Sequence, residues 1–289
     1  MSILKGLIKG GKSRVVAQIQ AVPRRAASRL AGVETVTEGV TVVSKSGYKI
    51  AAKIHRPIEA GRHFGVLLVP GTNDPGDVFL NWSQPINALE LAGMGIVVMT
   101  FDPAGRGESW GEEDYGGVEH QDDVIAALTY LSDRTDTSGL GVVSISLGLG
   151  MACGALANLP EGLDVSWFVD WEGPCDREII TSGGAMMAPA MGHSLHDDVY
   201  WIPREAVRHV GSIKCGYHRL QAVPDHAQPE ETRHATRMMQ HISTGEAGWF
   251  KINDHPRGAV PDSVQWLKSG RLAANRAIIA AVMDAIKSS

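Results

Sequence analysis

The chain has 289 residues, room for one large α/β domain with an insertion or for two small domains. Hydrophobic residues make up 44% and charged residues 20%, the balance of a globular enzyme with a sizeable core. A net charge of -5 argues against nucleic acid as a partner, because phosphate binding wants a basic surface. No apolar run approaches the roughly 20 residues needed to span a bilayer.

The first 32 residues read as a helical segment carrying Lys5, Lys9, Lys12 and Arg14. Its apolar stretch falls short of the ~7–15 residues of a secretory h-region. It is expected to pack on the protein itself or on a second subunit, which leaves a homo-oligomer open. Cys153, Cys175 and Cys215 are odd in number and form no CxxC pair. They suit buried free thiols in a reducing cytoplasm, and a cytoplasmic location is expected.

From Val33 the pattern alternates as strands do. Residues 35–43 and 48–54 flank Ser46-Gly47 as a hairpin. Unalternating apolar runs follow at 64–69, 95–101, 140–143, 165–169 and 217–223, the mark of parallel strands buried on both faces. Between and after them, 86–92, 121–131, 147–158 and 264–286 carry apolar residues at helical spacing. The alternation predicts an α/β fold with a mostly parallel central sheet flanked by helices and an antiparallel edge. It breaks once, where about forty residues separate two strands, too long for a plain connection. Residues 171–212 are therefore expected to form a small cap insertion, with core parts at 33–170 and 213–289.

Ser144-Ile145-Ser146-Leu147-Gly148 follows directly on a strand and opens a helix. A nucleophile on so sharp a strand-to-helix turn needs small residues two positions to either side. Ser146 has Ser144 and Gly148 there, whereas Ser144 would have the bulky Val142. The pattern is G-x-S-x-G with its first glycine replaced by serine.

These residues resemble the nucleophile elbow of the α/β-hydrolase superfamily, its dienelactone-hydrolase-like and serine esterase branches in particular. Phe101-Asp102-Pro103-Ala104-Gly105-Arg106-Gly107-Glu108-Ser109 is similar to the D-x-R-G-x-G-x-S turn after the fourth strand. Val69-Pro70-Gly71-Thr72 stands where the family has H-G-x after the third. The resemblance implies a catalytic triad, an oxyanion hole and no cofactor. One oxyanion donor would be the Leu147 N–H and the other that of Thr72, with Asn73 as competitor.

The family order is serine, acid, histidine. Among eleven histidines, His255 stands where the family places its base, at a strand end before the last helix. Asp225, after the strand that follows the cap, matches the acid by position; Asp170, Glu172 and Asp176 form the rival cluster. Trp171, Met187, Tyr200 and Trp201 are candidates for a substrate pocket, or else for a small core of the cap. No HExxH, clustered ligand spacing or P-loop suggests a metal. The expected function is a carboxylesterase acting on a small-molecule ester. Open alternatives are an acyltransferase, a cofactor-free perhydrolase, a small peptidase using the same triad, or a ligand-binding protein without catalysis.

Overall fold

The computed structural model describes residues 33–182, 192–227 and 232–289; the N-terminal segment 1–32 and Met187 lie outside them. β1 (Thr35–Val43) and β2 (Lys49–Pro57) form the expected hairpin, turning through Gly47 at φ +90°. There follow β3 (His63–Val69), α1 (Ala88–Gly93), β4 (Val97–Phe101), α2 (Val118–Ser132), β5 (Thr137–Ile145), α3 (Gly148–Ala157) and β6 (Trp167–Trp171). An eight-stranded sheet runs in the order β1-β2-β4-β3-β5-β6-β7-β9, with β7 at Gly216–Leu220 and β9 at Phe250–Ile252. Neighbouring strands pair in parallel except at β1–β2 and β2–β4, where β2 runs against the rest. This is the α/β-hydrolase fold.

The unalternating strands are buried on both faces, each strand dividing its residues between two cores. Leu67, Val69 and Val142 face a core with α2, α3 and α7 (Arg233–Ser243). Val66, Leu68 and Val143 face another with α1 and α8 (Arg271–Lys287). Losing either helix layer would expose side chains worth about 1.5–3 kcal/mol each, so a continuously apolar strand demands helices on both sides.

The last helix begins at Arg271, later than its periodicity predicts. Ahead of it, β10 (Leu267–Lys268) pairs in parallel with β8 (Ala222–Val223). This small pairing has a consequence for the site. β7 stops at Leu220, and the N–H of Gln221 is taken by the Asn253 side chain at 2.8 Å. The chain leaves the main sheet there and carries residues 224–227 across the ends of the central strands.

The connection from β6 to β7 holds α4 (Arg177–Ser182), α5 (Asp198–Trp201) and α6 (Ala206–His209). Its described part is tied to the core. Gln121 donates to the Pro203 carbonyl at 2.6 Å, and the Arg204 guanidinium bonds Asp114. Among the described residues no helix is long and apolar enough to cross a membrane.

Candidate active site

Ser146 sits at the C-terminal end of β5 with φ +52°, a left-handed conformation that costs a non-glycine residue about 1–3 kcal/mol. The surroundings hold it there. Its N–H donates to the Trp171 carbonyl at 2.9 Å, and its own carbonyl accepts from the Leu149 N–H at 3.1 Å. The small flanking residue is sterically required: a Cβ on Gly148 would lie 2.6 Å from the Pro70 carbonyl oxygen. On the other side Ser144 is fully buried.

Facing the Ser146 hydroxyl is His226, whose Nε2 lies 2.9 Å from Oγ. Its Nδ1 lies 2.8 Å from Oε2 of Glu172, and its backbone N–H also reaches that oxygen at 3.3 Å. The second carboxylate oxygen of Glu172 accepts from the Ala222 N–H at 3.0 Å. With both oxygens occupied by donors, Nδ1 must carry the ring proton, which leaves the Nε2 lone pair for the serine hydroxyl. Burial alone would lower the His226 pKa. The hydrogen bond to Glu172 and the charges of Asp225 and Glu172 outweigh it and hold the pKa above the ordinary histidine value.

Neither His226 nor its place in the chain carries a signal of the family pattern, and position selected His255 in its stead. The structure brings His226 and not His255 to the Ser146 hydroxyl. β9 is only three residues long, and the chain curls back at Asn253, φ +47°. Asn253 is pinned to the Gln221 and Gln265 carbonyls at 3.1 and 2.9 Å, turning the loop toward β10. His255 accepts the Gln265 N–H at 2.9 Å through Nε2 and is absent from the cleft wall.

Asp225 stands next to His226, its Oδ1 at 3.5 Å from Nδ1 against 2.8 Å for Glu172. It accepts from Gln221 and from the Ala227 N–H, each at 2.7 Å, and approaches Nε2 of the buried His234 at 3.3 Å. Burial would raise its pKa. The hydrogen bonds from His234, Gln221 and Ala227 and the nearby His226 prevail, so it is held well below the usual carboxylate range. Of the rival cluster, only Glu172 reaches the histidine. Asp170 is paired with the fully buried Arg219 at 2.5 Å and accepts the Tyr217 hydroxyl at 2.9 Å. Asp176 receives Arg237 at 2.5 Å and the Ile179 N–H at 3.1 Å.

Ser146, Glu172, Asp225 and His226 open into a cleft of about 910 Å³ at the C-terminal ends of the strands, where open α/β sheets bind ligands. Gly71, Thr72 and Asp74 form one wall, Gln84 and Pro85 another, and Arg271 and Ala274 a third. A Cβ on Gly71 would lie 3.2 Å from the Ser146 Cβ, so the Gly71–Asp74 loop runs directly over the serine. Neither the Leu147 nor the Thr72 N–H is given to another group among the described residues.

Of the expected pocket residues, Trp171 lines the cleft. Trp201 does not: it is fully buried, packed with Leu147 and Ile180, its indole N–H on the Ser194 carbonyl at 2.9 Å. Tyr200 is stacked on His193 at 3.6 Å with the Arg204 guanidinium 3.8 Å over its ring. With Ile180 these residues build a small core of the insertion, set against Leu147 and Tyr115 beneath the elbow. The ligand-capable atoms of Glu172, Asp225 and His226 all lie within 4.8 Å of one another, the one such group found among the described residues. Each of the three is already engaged in the hydrogen bonds just described.

A family profile described as X-Pro dipeptidyl-peptidase (S15 family) matches residues 46–269. No curated protein matches the sequence. Among solved structures, the acetyl xylan esterase from Paenibacillus sp. R4 superposes with a TM-score of 0.65 at 14% identity, covering 94% of this chain and 89% of that one. The Pyrococcus furiosus esterase Pf2001 gives 0.62 at 15% identity, covering 93% and 99%. Prolyl oligopeptidase B from Galerina marginata gives 0.62 at 18%, covering 86% of this chain but 37% of that one. At these identities the likeness is one of fold.

Proposed function

The chain belongs to the X-Pro dipeptidyl-peptidase (S15) family, and from that premise and the geometry of the cleft we propose that it hydrolyses carboxylic esters through an acyl-enzyme on Ser146. The observation that carries the reading is the chain Ser146 Oγ–His226 Nε2, His226 Nδ1–Glu172 Oε2, at 2.9 and 2.8 Å. His226 takes the proton of Ser146 as Oγ attacks the carbonyl carbon. It then gives that proton to the departing alkoxide. Water enters, loses a proton to His226, and the acid leaves as Ser146 regains its hydrogen. Glu172 fixes the tautomer and stabilises the imidazolium. The negative oxygen of each tetrahedral intermediate is met by the N–H groups of Leu147 and Thr72.

The cleft walls suit the ester reading, since Ile145, Trp171, Pro85, Pro224 and Ala274 offer apolar area to an acyl or alcohol group. The family match favours a peptide as the second reading. A fluorophosphonate probe tests the chemistry: the native chain should label and Ser146→Ala should not. Equal labelling of both, or of neither, refutes the nucleophile. Short-chain p-nitrophenyl esters set against X-Pro p-nitroanilides then separate ester from peptide cleavage.

A pH profile follows from His226. Protonated, it cannot accept the serine proton, and its pKa lies above the ordinary value. Activity should therefore be absent in acid and develop as pH rises through a midpoint above about 6.5 in kcat/KM. A midpoint near 5 would remove His226 as the base.

A further inference from the structure

Arg106 is a buried cation that the proposed chemistry leaves unused. It lies between Gly105 at φ +76° and Gly107 at φ +53°, in the turn after β4, with only 4% of its surface exposed. Glu113 accepts from its Nε at 2.6 Å and from Nη2 at 2.7 Å. The remaining nitrogen, Nη1, crosses to the loop over the serine. It donates to the Gly71 carbonyl at 2.6 Å and reaches the Asp74 carbonyl at 3.4 Å.

The Gly71 carbonyl and the Thr72 N–H belong to one peptide unit. That unit is planar and trans, so the two groups point in opposite directions. Whatever holds the carbonyl aims the N–H. Gly71 lacks a Cβ to restrict its ψ, and a turned peptide at this position would present a carbonyl oxygen to the oxyanion in place of a donor.

We propose that Arg106 is a positioning residue for the oxyanion site: by holding the Gly71 carbonyl on the protein side of the loop, it aims the Thr72 N–H into the cleft at Ser146. Glu113 fixes the guanidinium by a two-point bond that only arginine can match. Arg106 touches no reacting atom and acts through the Gly71–Thr72 peptide alone. The inference rests on the reading of Ser146 as nucleophile.

The test compares native protein, Arg106→Lys, Arg106→Gln and the pair Arg106→Gln/Glu113→Gln, the last sparing Glu113 an unmatched buried charge. Two quantities are read: kcat and KM for a p-nitrophenyl ester, and the inhibition constant of an aryl trifluoromethyl ketone. That ketone adds to the serine as a hemiketal whose oxygen occupies the oxyanion position. Losing one oxyanion donor costs about 10²–10³ in kcat. Arg106→Gln and the pair should fall into that range with KM nearly unchanged, and the ketone should weaken in parallel. Arg106→Lys, which keeps one donor for the carbonyl, should recover part of the loss. The inference fails if folded glutamine variants keep native kcat, or if KM rises while ketone affinity stays. Failure of the native chain to hydrolyse the ester or bind the ketone refutes the proposed function itself.

Discussion

His226→Ala should abolish ester hydrolysis, while His255→Ala should leave kcat within about threefold of native. Removing the base of a serine triad costs about 10⁶ in kcat, because the serine hydroxyl is then left at its own high pKa with nothing to accept its proton. His226 is the only histidine whose ring nitrogen lies at hydrogen-bond distance from Ser146 Oγ among the described residues. His255 is engaged with the Gln265 N–H, so its loss removes one partly exposed bond on the loop. Steady-state kinetics on the two variants, with thermal unfolding to verify the fold, decide the matter. An inactive His255→Ala beside an active His226→Ala would return the base to the position that the family order favours.

Glu172→Gln should lower kcat by about 10⁴, the cost of replacing a triad carboxylate by its amide. The reason lies in the two partners of Glu172. The amide offers one acceptor where the carboxylate offered two, and it carries no charge to stabilise the imidazolium; where its carbonyl keeps the Ala222 N–H, its NH2 group turns to His226. Nδ1 is then forced to accept, the ring proton moves to Nε2, and Nε2 can no longer take a proton from Ser146. Asp225→Asn should cost far less, roughly tenfold, since a carboxylate 3.5 Å from Nδ1 acts on the ring mainly through its field. It should also move the midpoint of the pH profile down, because the negative charge of Asp225 helps to hold the His226 pKa up. If Asp225→Asn proves the more damaging change, the acid is Asp225.

The elements that sequence and structure agree on share a local cause. A strand buried on both faces must be apolar throughout, and a left-handed serine at its end must be followed by a glycine two positions on. Thus β3 to β6, the hairpin at Gly47 and the elbow at Ser146 could be read from neighbouring residues alone. The loop from Gly71 is placed by family resemblance, and its hold by Arg106 joins residues far apart in the chain.

His226 and Glu172 belong to the other kind. Which histidine meets Ser146 depends on where β7 ends and where the chain goes next, and both are settled by distant contacts. Asn253 takes the Gln221 N–H and closes the loop that carries His255 away. β8 pairs with β10, and Glu172 fastens the Ala222 and His226 N–H groups. None of these contacts leaves a mark in the composition around residue 226. The strands, the helices and the turn at Ser146 follow from the residues around them; what brings His226 and Glu172 to Ser146 lies in the tertiary structure, because they stand on loop ends, and loop ends are placed by long-range hydrogen bonds.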